Sequence, residues 1–202
     1  MWMGDLLKVD LFGEDHAHEE LIGAMIKRIF LEKNLYPLIR SRSVKGGYPK
    51  MLSELDTFQK LVQRKQMGLD IPDVLVVVQD TNCAGYNTTH KTLKERINYQ
   101  IFPSVALACP DPYIERWFFA DPESFHKVIG VGTALERKKC ERNFYKQKLA
   151  NEIRKGGHPI RFGGIEFASE LVEAMDLYKA RKNEETLNNF ISELQEALAR
   201  FS

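Results

Sequence analysis

The sequence predicts an α/β fold in which helices wrap a parallel sheet and a further helical segment follows. Strand-like apolar runs alternate with amphipathic helical stretches in the first part of the chain, a pattern typical of parallel sheets. The run at 73–79 (DVLVVVQ) shows no polar alternation, so we expect a central strand buried on both faces. Beyond Gly130 no strong strand pattern follows. We therefore expect an α/β core at 1–130 and a helical appendage packed on it at 131–202.

The first half of the predicted core begins with an apolar strand at 6–12 that runs into a turn at Gly13. A helix is expected next, because apolar residues recur at helical period from Leu21 to Phe30. A more polar strand at 37–44 and a helix at 49–66 complete this half.

The second half of the core follows the central strand with a helix at 88–99 and a buried strand at 105–109. Asp111 is expected to cap a short helix, with Pro112 at its first position. Asp121 repeats this arrangement for a helix at 123–129. The remaining chain is expected to form helices at 143–155, 165–182 and 185–200.

Composition narrows the class of protein. The chain has 202 residues, of which 44% are hydrophobic and 28% charged, and its net charge is +1, as in one globular domain. No apolar run approaches the ~20 residues that span a bilayer, and no signal peptide is recognisable, so we expect a cytoplasmic protein that does not contact membranes. Cys83, Cys109 and Cys140 form no CxxC pair, so we expect reduced thiols, with neither a disulfide nor a cysteine zinc site.

Charge is balanced overall but uneven along the chain. Residues 27–65 and 123–162 carry net charges of +7 and +6, and the stretches around them are acidic. Segregated charge of this kind produces a basic rim around an acidic site, or simply solvated helix faces.

Acidic residues follow three of the predicted strands. Glu14 and Asp15 follow the first, Asp80 follows the central strand, and Asp111 with Glu115 follows the last. Because the carboxyl ends of parallel strands lie at one edge of the sheet, these carboxylates are expected to converge there. Carboxylates that converge repel each other unless a cation lies between them, so the pattern points to Mg²⁺ or Mn²⁺. Asp111 has the alternative role of helix cap, and Glu115 that of an ion-pair partner for an arginine such as Arg116.

Three segments at these strand ends resemble a known family. Gly13-Glu14-Asp15, 74–82 (VLVVVQDTN) and 105–119 (VALACPDPYIERWFF) are similar to segments of the small toprim-fold proteins related to RloB and, more distantly, to the OLD-family nucleases. The resemblance implies a toprim-like, Rossmann-like fold. It further implies metal-dependent hydrolysis of phosphodiesters in DNA or RNA, including tRNA, with a partner ATPase in bacterial anti-phage defence.

Residue by residue, the resemblance implies that Glu14 is the catalytic glutamate and Asp80 the first aspartate of the metal-binding pair. The second aspartate of that pair is replaced by Asn82, whose carbonyl oxygen offers a ligand without charge. Asp111 or Glu115 is then expected to supply the missing carboxylate.

Basic residues are expected to contact the nucleic acid. A site for phosphoryl transfer needs cations that offset charge on the phosphate, and binding of a nucleic acid needs several of them. The candidates are Lys91, Lys138, Lys139, Arg142 and Lys146. Two histidines, His16 and His18, lie beside Glu14; a zinc site built on them is disfavoured, because helix positions two apart face different directions.

A second class of function stays open at this point. The loss of an acidic residue at Asn82 is also what a toprim-like interaction module without catalytic activity would show, binding a protein or a nucleic acid. The sequence leaves a homodimer open as well.

Overall fold

The computed structural model describes residues 6–42, 48–64 and 70–201, and these form an α/β fold with a parallel sheet flanked by helices. This confirms the predicted α/β class and the parallel sheet wrapped by helices, and it is consistent with a Rossmann-like fold. The strands are β1 (Leu6–Phe12), β2 (Tyr36–Ser41), β3 (Val74–Val78) and β4 (Val105–Ala108). They pair in the order β2-β1-β3-β4, and all three pairings are parallel. The carboxyl ends of β1, β3 and β4 are therefore neighbours.

Helices connect and cover these strands. The α-helices are α1 (His16–Glu32), α2 (Tyr48–Gln63), α3 (Tyr86–Arg96), α4 (Pro122–Ile129), α5 (Phe144–Lys155), α6 (Ala168–Ala174), α7 (Leu177–Asn183) and α8 (Glu185–Leu198). Short 3₁₀ segments lie at Ile114–Phe119, Ile165–Phe167 and Ala199–Phe201.

The two faces of the sheet are buried in two separate apolar clusters. Side chains of β3 alternate between them, as the pleat of a strand requires: Val76 faces the cluster that includes α1 and α8, whereas Val77 faces the cluster that includes α2 and α3. All five residues of β3 are buried, in agreement with its uninterrupted apolar run.

The outer edge of β4 is closed by a side chain of α8. The backbone N–H of Leu107 donates to Oε2 of Glu193 at 2.9 Å, and Oε1 of the same carboxylate lies 2.7 Å from Nε2 of His90 on α3. An edge strand without such a cover would leave this amide unpaired.

Two predicted helices differ from the structure. Asp111 does not cap a helix, because the 3₁₀ segment begins only at Ile114, with Tyr113 at the N-cap position. The helix expected at 165–182 is divided, because Met175 is extended and Asp176 starts α7 by accepting bonds from the next backbone amides. The predicted ends of the second strand at Val44 and of the second helix at Gln66 lie outside the described residues.

Candidate functional site

A cavity of about 410 Å³ lies at the carboxyl edge of the sheet, where the loops after β1, β3 and β4 meet. Its lining is mostly polar and combines four carboxylates with cationic side chains. The lining residues are Glu14, Asp15, His18, Asp80, Asn82, Tyr113, Glu115, Arg142, Asn143, Tyr145 and Lys146. Of the acidic residues expected to converge, Glu14, Asp15, Asp80 and Glu115 thus line one cavity, whereas Asp111 does not.

The turn after β1 brings Glu14 and Asp15 to this cavity. Asp15 caps α1, with Oδ1 accepting from the His18 backbone N–H at 3.2 Å. A Cβ on Gly13 would lie only 3.0 Å from Cβ of His18 and 3.2 Å from Val78, so a glycine lets this turn approach β3 closely. Burial by itself would raise the pKa of Asp15, but attraction to His18 and the bonds from backbone amides outweigh it and lower the pKa.

His18 connects the first loop with the central one. Its buried imidazole accepts from the Glu14 backbone N–H at Nδ1 (3.1 Å), and its Nε2 lies 3.2 Å from Oδ1 of Asp80. The Glu14 bond needs a lone pair on Nδ1, so it selects the tautomer in which Nε2–H donates to Asp80. Burial alone would lower the pKa of His18, but the attraction of Asp80 and the neighbouring carboxylates outweighs burial and raises the pKa to about 9. A second proton, on Nδ1, would displace the Glu14 bond and face Oδ1 of Asp15 at 3.7 Å.

Asp80 lies where the central loop meets the loop after β4. Besides its contact with His18, Oδ1 accepts from the backbone N–H of Ile114 at 2.8 Å. This bond explains why Glu115 reaches the cavity: the 3₁₀ segment starts at the residue that Asp80 holds.

Glu115 is the most buried carboxylate of the cavity, with 2% of its surface exposed. Its Oε1 lies 3.6 Å from Nζ of Lys146, and its Oε2 has no hydrogen-bond partner among the described residues. Burial, followed by repulsion from Asp80, raises the pKa of Glu115 to about 7. Burial and the charge of Asp80 also raise the pKa of Glu14, partly opposed by His18. The cationic side chains of the site therefore do not fully compensate the negative charge of its carboxylates.

Asn82 lines the same cavity from the loop after β3. Its side-chain N–H donates to the backbone oxygen of Asp80 at 3.3 Å, and its backbone N–H donates to the oxygen of Pro112 at 3.2 Å. It adopts a positive φ of 47°, a conformation that asparagine tolerates better than most residues.

Asp111 lies outside this cavity. Its Oδ1 accepts from the hydroxyl of Thr81 at 2.7 Å, and its Oδ2 pairs with Nζ of Lys138 at 2.7 Å. Its contacts tie the segment 131–142 to the central loop, and of the two residues expected to supply the missing carboxylate, the structure brings only Glu115 to the cavity.

The predicted basic residues divide into two groups. Lys146 and Arg142 line the cavity, and Lys146 lies 3.6 Å from both Asp15 and Glu115. Arg142 forms no ion pair with the described residues. Lys138 pairs with Asp111, Lys139 with Glu136, and Lys91 lies on α3 within 3.8 Å of Glu95, none of them lining the cavity.

The expectation of three reduced thiols is wrong for two of them. Cys83 and Cys140 form a disulfide, with their Cα atoms 5.7 Å apart, whereas Cys109 is free and buried. The two partners are separated by 57 positions and lie in irregular segments, so no spacing motif reveals the pair. The bond joins the loop of Asn82 to the segment that leads into Arg142.

Sequence reasoning missed the role of His18, as well as Tyr113, Asn143 and Tyr145. Helix-face spacing does not mark His18, because Glu14 lies before the N-cap residue Asp15 and bonds to the imidazole through its backbone N–H. The other three come from distant parts of the chain, and no local pattern marks them.

Comparisons with models of protein families, with curated proteins and with solved structures give no match to this chain. Among residues 6–42, 48–64 and 70–201, no helix is both long and apolar enough to cross a bilayer.

The oxygen donors of the cavity are of the kind that a hard divalent cation binds, but they do not surround a single point as a complete coordination shell. Within the described ranges, no three His, Cys, Asp or Glu side chains stand together as a ready-made metal centre. His18 and Lys146 lie between the carboxylates instead. Oε2 of buried Glu115 nevertheless provides an oxygen without a hydrogen-bond partner in the described part of the chain. Oxygen donors of Glu14, Asp80, Asn82 and Glu115 are the kind that Mg²⁺ and Mn²⁺ prefer.

Proposed function

We propose that this chain is a toprim-like, metal-dependent phosphodiesterase that acts on nucleic acid. The observation that carries the proposal is that Glu14, Asp80 and Glu115, from the loops after three adjacent parallel strands, line one cavity, with Oε2 of buried Glu115 lacking a hydrogen bond to any described residue. The convergence of like charges is costly, since the charge of Asp80 helps to raise the pKa of both Glu14 and Glu115, and such perturbed carboxyls are concentrated at functional sites.

Glu14, Asp80 and Glu115 would hold the cation, and Asn82 would add a neutral oxygen. A bound Mg²⁺ or Mn²⁺ polarises a phosphoryl oxygen and makes a bound water more acidic. Of these side chains Glu14 is the least enclosed by bonds: among the described residues its carboxylate forms no hydrogen bond or ion pair, so it is free to accept a proton from the attacking water at its carboxylate oxygen.

The cations of the cavity suit a phosphodiester. Arg142 offers a guanidinium that forms no ion pair with the described residues. Lys146 lies 3.6 Å from both Asp15 and Glu115, and at this distance a phosphate could compete with the two carboxylates for the ammonium group. Each would offset charge that develops on the phosphate during displacement.

The test uses the purified full chain with labelled DNA and RNA oligonucleotides in EDTA, Mg²⁺ or Mn²⁺. We expect cleavage that needs the divalent ion and is lost in Glu14→Gln and Asp80→Asn. Glu123→Gln, on exposed α4, is the matched control and should cleave like the wild type. If DNA and RNA stay intact under all conditions, with and without the partner ATPase that the resemblance implies, the proposal fails.

One observation favours the second candidate, a toprim-like interaction module without catalytic activity. Asn82 stands where the toprim pattern has its second aspartate, and Lys146, together with His18 when it is protonated, neutralises part of the acidic charge. A titration with Mn²⁺ separates the two candidates. A metal site stabilises the fold as ion is added, about 2.7 kcal/mol at a hundredfold excess over Kd, whereas a module without a metal site shows no dependence on the ion.

A further inference from the structure

An exposed aromatic ring lies beside the acidic cavity and takes no part in the proposed chemistry. Phe162 has 61% of its surface exposed, and its ring meets the ring of His16 edge-on, with centroids 5.7 Å apart. His16 is the first residue of α1 and directly follows Asp15, which lines the cavity. Phe162 therefore stands at the margin of the cavity, on the side of the β1 turn.

The turn that carries Phe162 is firmly held. The carboxylate of Glu166 accepts from the backbone N–H of Arg161 at 2.6 Å, of Phe162 at 3.3 Å and of Gly164 at 2.9 Å. Gly164 has a φ of +99°, and a Cβ there would lie 2.3 Å from Cδ1 of Ile153, so the turn packs directly on α5. The ring is thus presented to solvent by an ordered turn and not by a loose loop.

The surroundings of the ring favour an uncharged, flat partner. His16 lies 3.6 Å from Glu19 and 3.7 Å from Glu20, so this margin is acidic and would repel a phosphate. The cations that suit a phosphate, Arg142 and Lys146, line the cavity itself. A nucleic-acid strand has both parts: phosphates that need cations, and bases that stack on aromatic rings.

We propose that Phe162 is a stacking platform for an unpaired base of the nucleic acid whose phosphate enters the cavity, so the substrate class is single-stranded or carries a single-stranded end. This inference rests on the proposed function for the position of the phosphate. Bases of an intact duplex are already stacked and paired, so they offer no free face to the ring. A hydrophobic protein partner at Phe162 is the competing occupant, and it predicts no preference for unpaired bases.

The test measures binding without catalysis, by fluorescence anisotropy in EDTA, with a labelled 12-nucleotide single strand and a blunt-ended duplex that contains the same strand. Phe162→Ala should weaken single-strand binding roughly 5- to 150-fold, the range for loss of one stacked base, and leave duplex binding unchanged. Phe162→Trp should keep the affinity, and its indole emission should be quenched on binding. Tyr178→Ala removes an aromatic ring that is 79% exposed on α7 and should change nothing.

The outcomes separate this inference from the proposed function. Equal single-strand affinity of Phe162→Ala and Tyr178→Ala, at unchanged melting temperature, would overturn the platform even if the protein cleaves nucleic acid. If Phe162→Ala alone loses single-strand affinity and the protein cleaves nucleic acid under no condition, the stacking platform is supported and the proposed phosphodiesterase activity is contradicted. If the wild type binds neither probe, the platform is refuted as well.

Discussion

His18 and Asp80 face each other in the cavity, with Nε2 and Oδ1 3.2 Å apart, and this contact joins the first turn of α1 to the loop after β3, 62 positions further along the chain. The imidazole also accepts from the Glu14 amide, so one buried side chain fixes the positions of both acidic residues.

We expect His18→Ala to lower the free energy of unfolding by about 2–4 kcal/mol, because it opens a cavity and leaves two polar groups without partners. The cleavage rate should fall as well, because Glu14 and Asp80 lose their common support. Urea unfolding and the cleavage assay measure the two effects. His126→Ala, on the exposed side of α4, is the control, and an equal stability for the two variants would contradict the role of His18.

Glu115→Gln is expected to stabilise the protein in EDTA, and more so at pH 8 than at pH 5. Burial raises the pKa of Glu115 from 4.5 to about 7, so the folded state resists ionisation of this carboxyl. The wild type therefore loses stability between about pH 4.5 and 7, as the unfolded chain gives up a proton that the folded chain retains. The amide cannot ionise, so the variant avoids a loss on the order of 3 kcal/mol at pH 8.

Thermal melts of the wild type and Glu115→Gln at the two pH values measure this difference. Glu170→Gln, at an exposed position of α6, controls for the general loss of one negative charge. With Mn²⁺ at pH 8 the order should reverse, because the wild type gains a ligand that the variant lacks. A difference that is the same at pH 5 and pH 8 would show that Glu115 is not held in its protonated form.

The position of the acidic residues at the carboxyl ends of the strands was predictable, because strands are recognised from local patterns of apolar residues. The run at 74–78 is apolar at every position, which indicates a central strand and so places Asp80 at the carboxyl edge. Glu14 follows the first strand by the same logic. The partners of these residues depend on contacts between distant segments. Arg116 pairs with Glu184, 68 positions away, and not with its neighbour Glu115, whose ion-pair partner is Lys146.

The toprim resemblance stays a prediction, and the cysteines show the limit of reasoning from count and spacing. An odd number of cysteines without CxxC is compatible with one distant pair and one buried thiol, which is what the structure has. The pairing depends on the path of the segment 131–142, which is held by side chains and not by a regular element: Lys148 donates to the oxygen of Ala134, and Arg116 donates to that of Glu136.

The disulfide predicts a defined alkylation pattern. Unfolded without reductant, the protein should react with iodoacetamide only at Cys109, and after reduction at all three cysteines; mass spectrometry of peptides distinguishes the two. Cys83→Ser should lower the free energy of unfolding by about 2–4 kcal/mol, because a crosslink over 57 positions restricts the unfolded chain. Cys140→Ser should match it, and the double variant should lose no more than either single one. Alkylation of Cys83 without reductant would contradict the bond.

The ion pair between Arg116 and Glu184 is expected to be the strongest single polar contribution to the link between the sheet and the C-terminal helices. Nε of Arg116 lies 2.6 Å from Oε2 of Glu184, with the side chains 11% and 6% exposed. The guanidinium also donates to the hydroxyl of Tyr145 at 3.0 Å. Removal of one partner leaves the other charge buried, so Glu184→Ala should cost about 3–5 kcal/mol in urea unfolding.

Burial, and not distance, decides the strength of this pair. Lys179 and Glu123 are also 2.6 Å apart, but their side chains are 46% and 78% exposed. Water screens such a pair, and Glu123→Ala should cost at most about 1 kcal/mol. Because Arg116 positions Tyr145, one residue before Lys146, Glu184→Ala should also slow cleavage, whereas Glu123→Ala should not. Similar losses of stability in the two variants would mean that the short distance alone, without burial, governs both pairs.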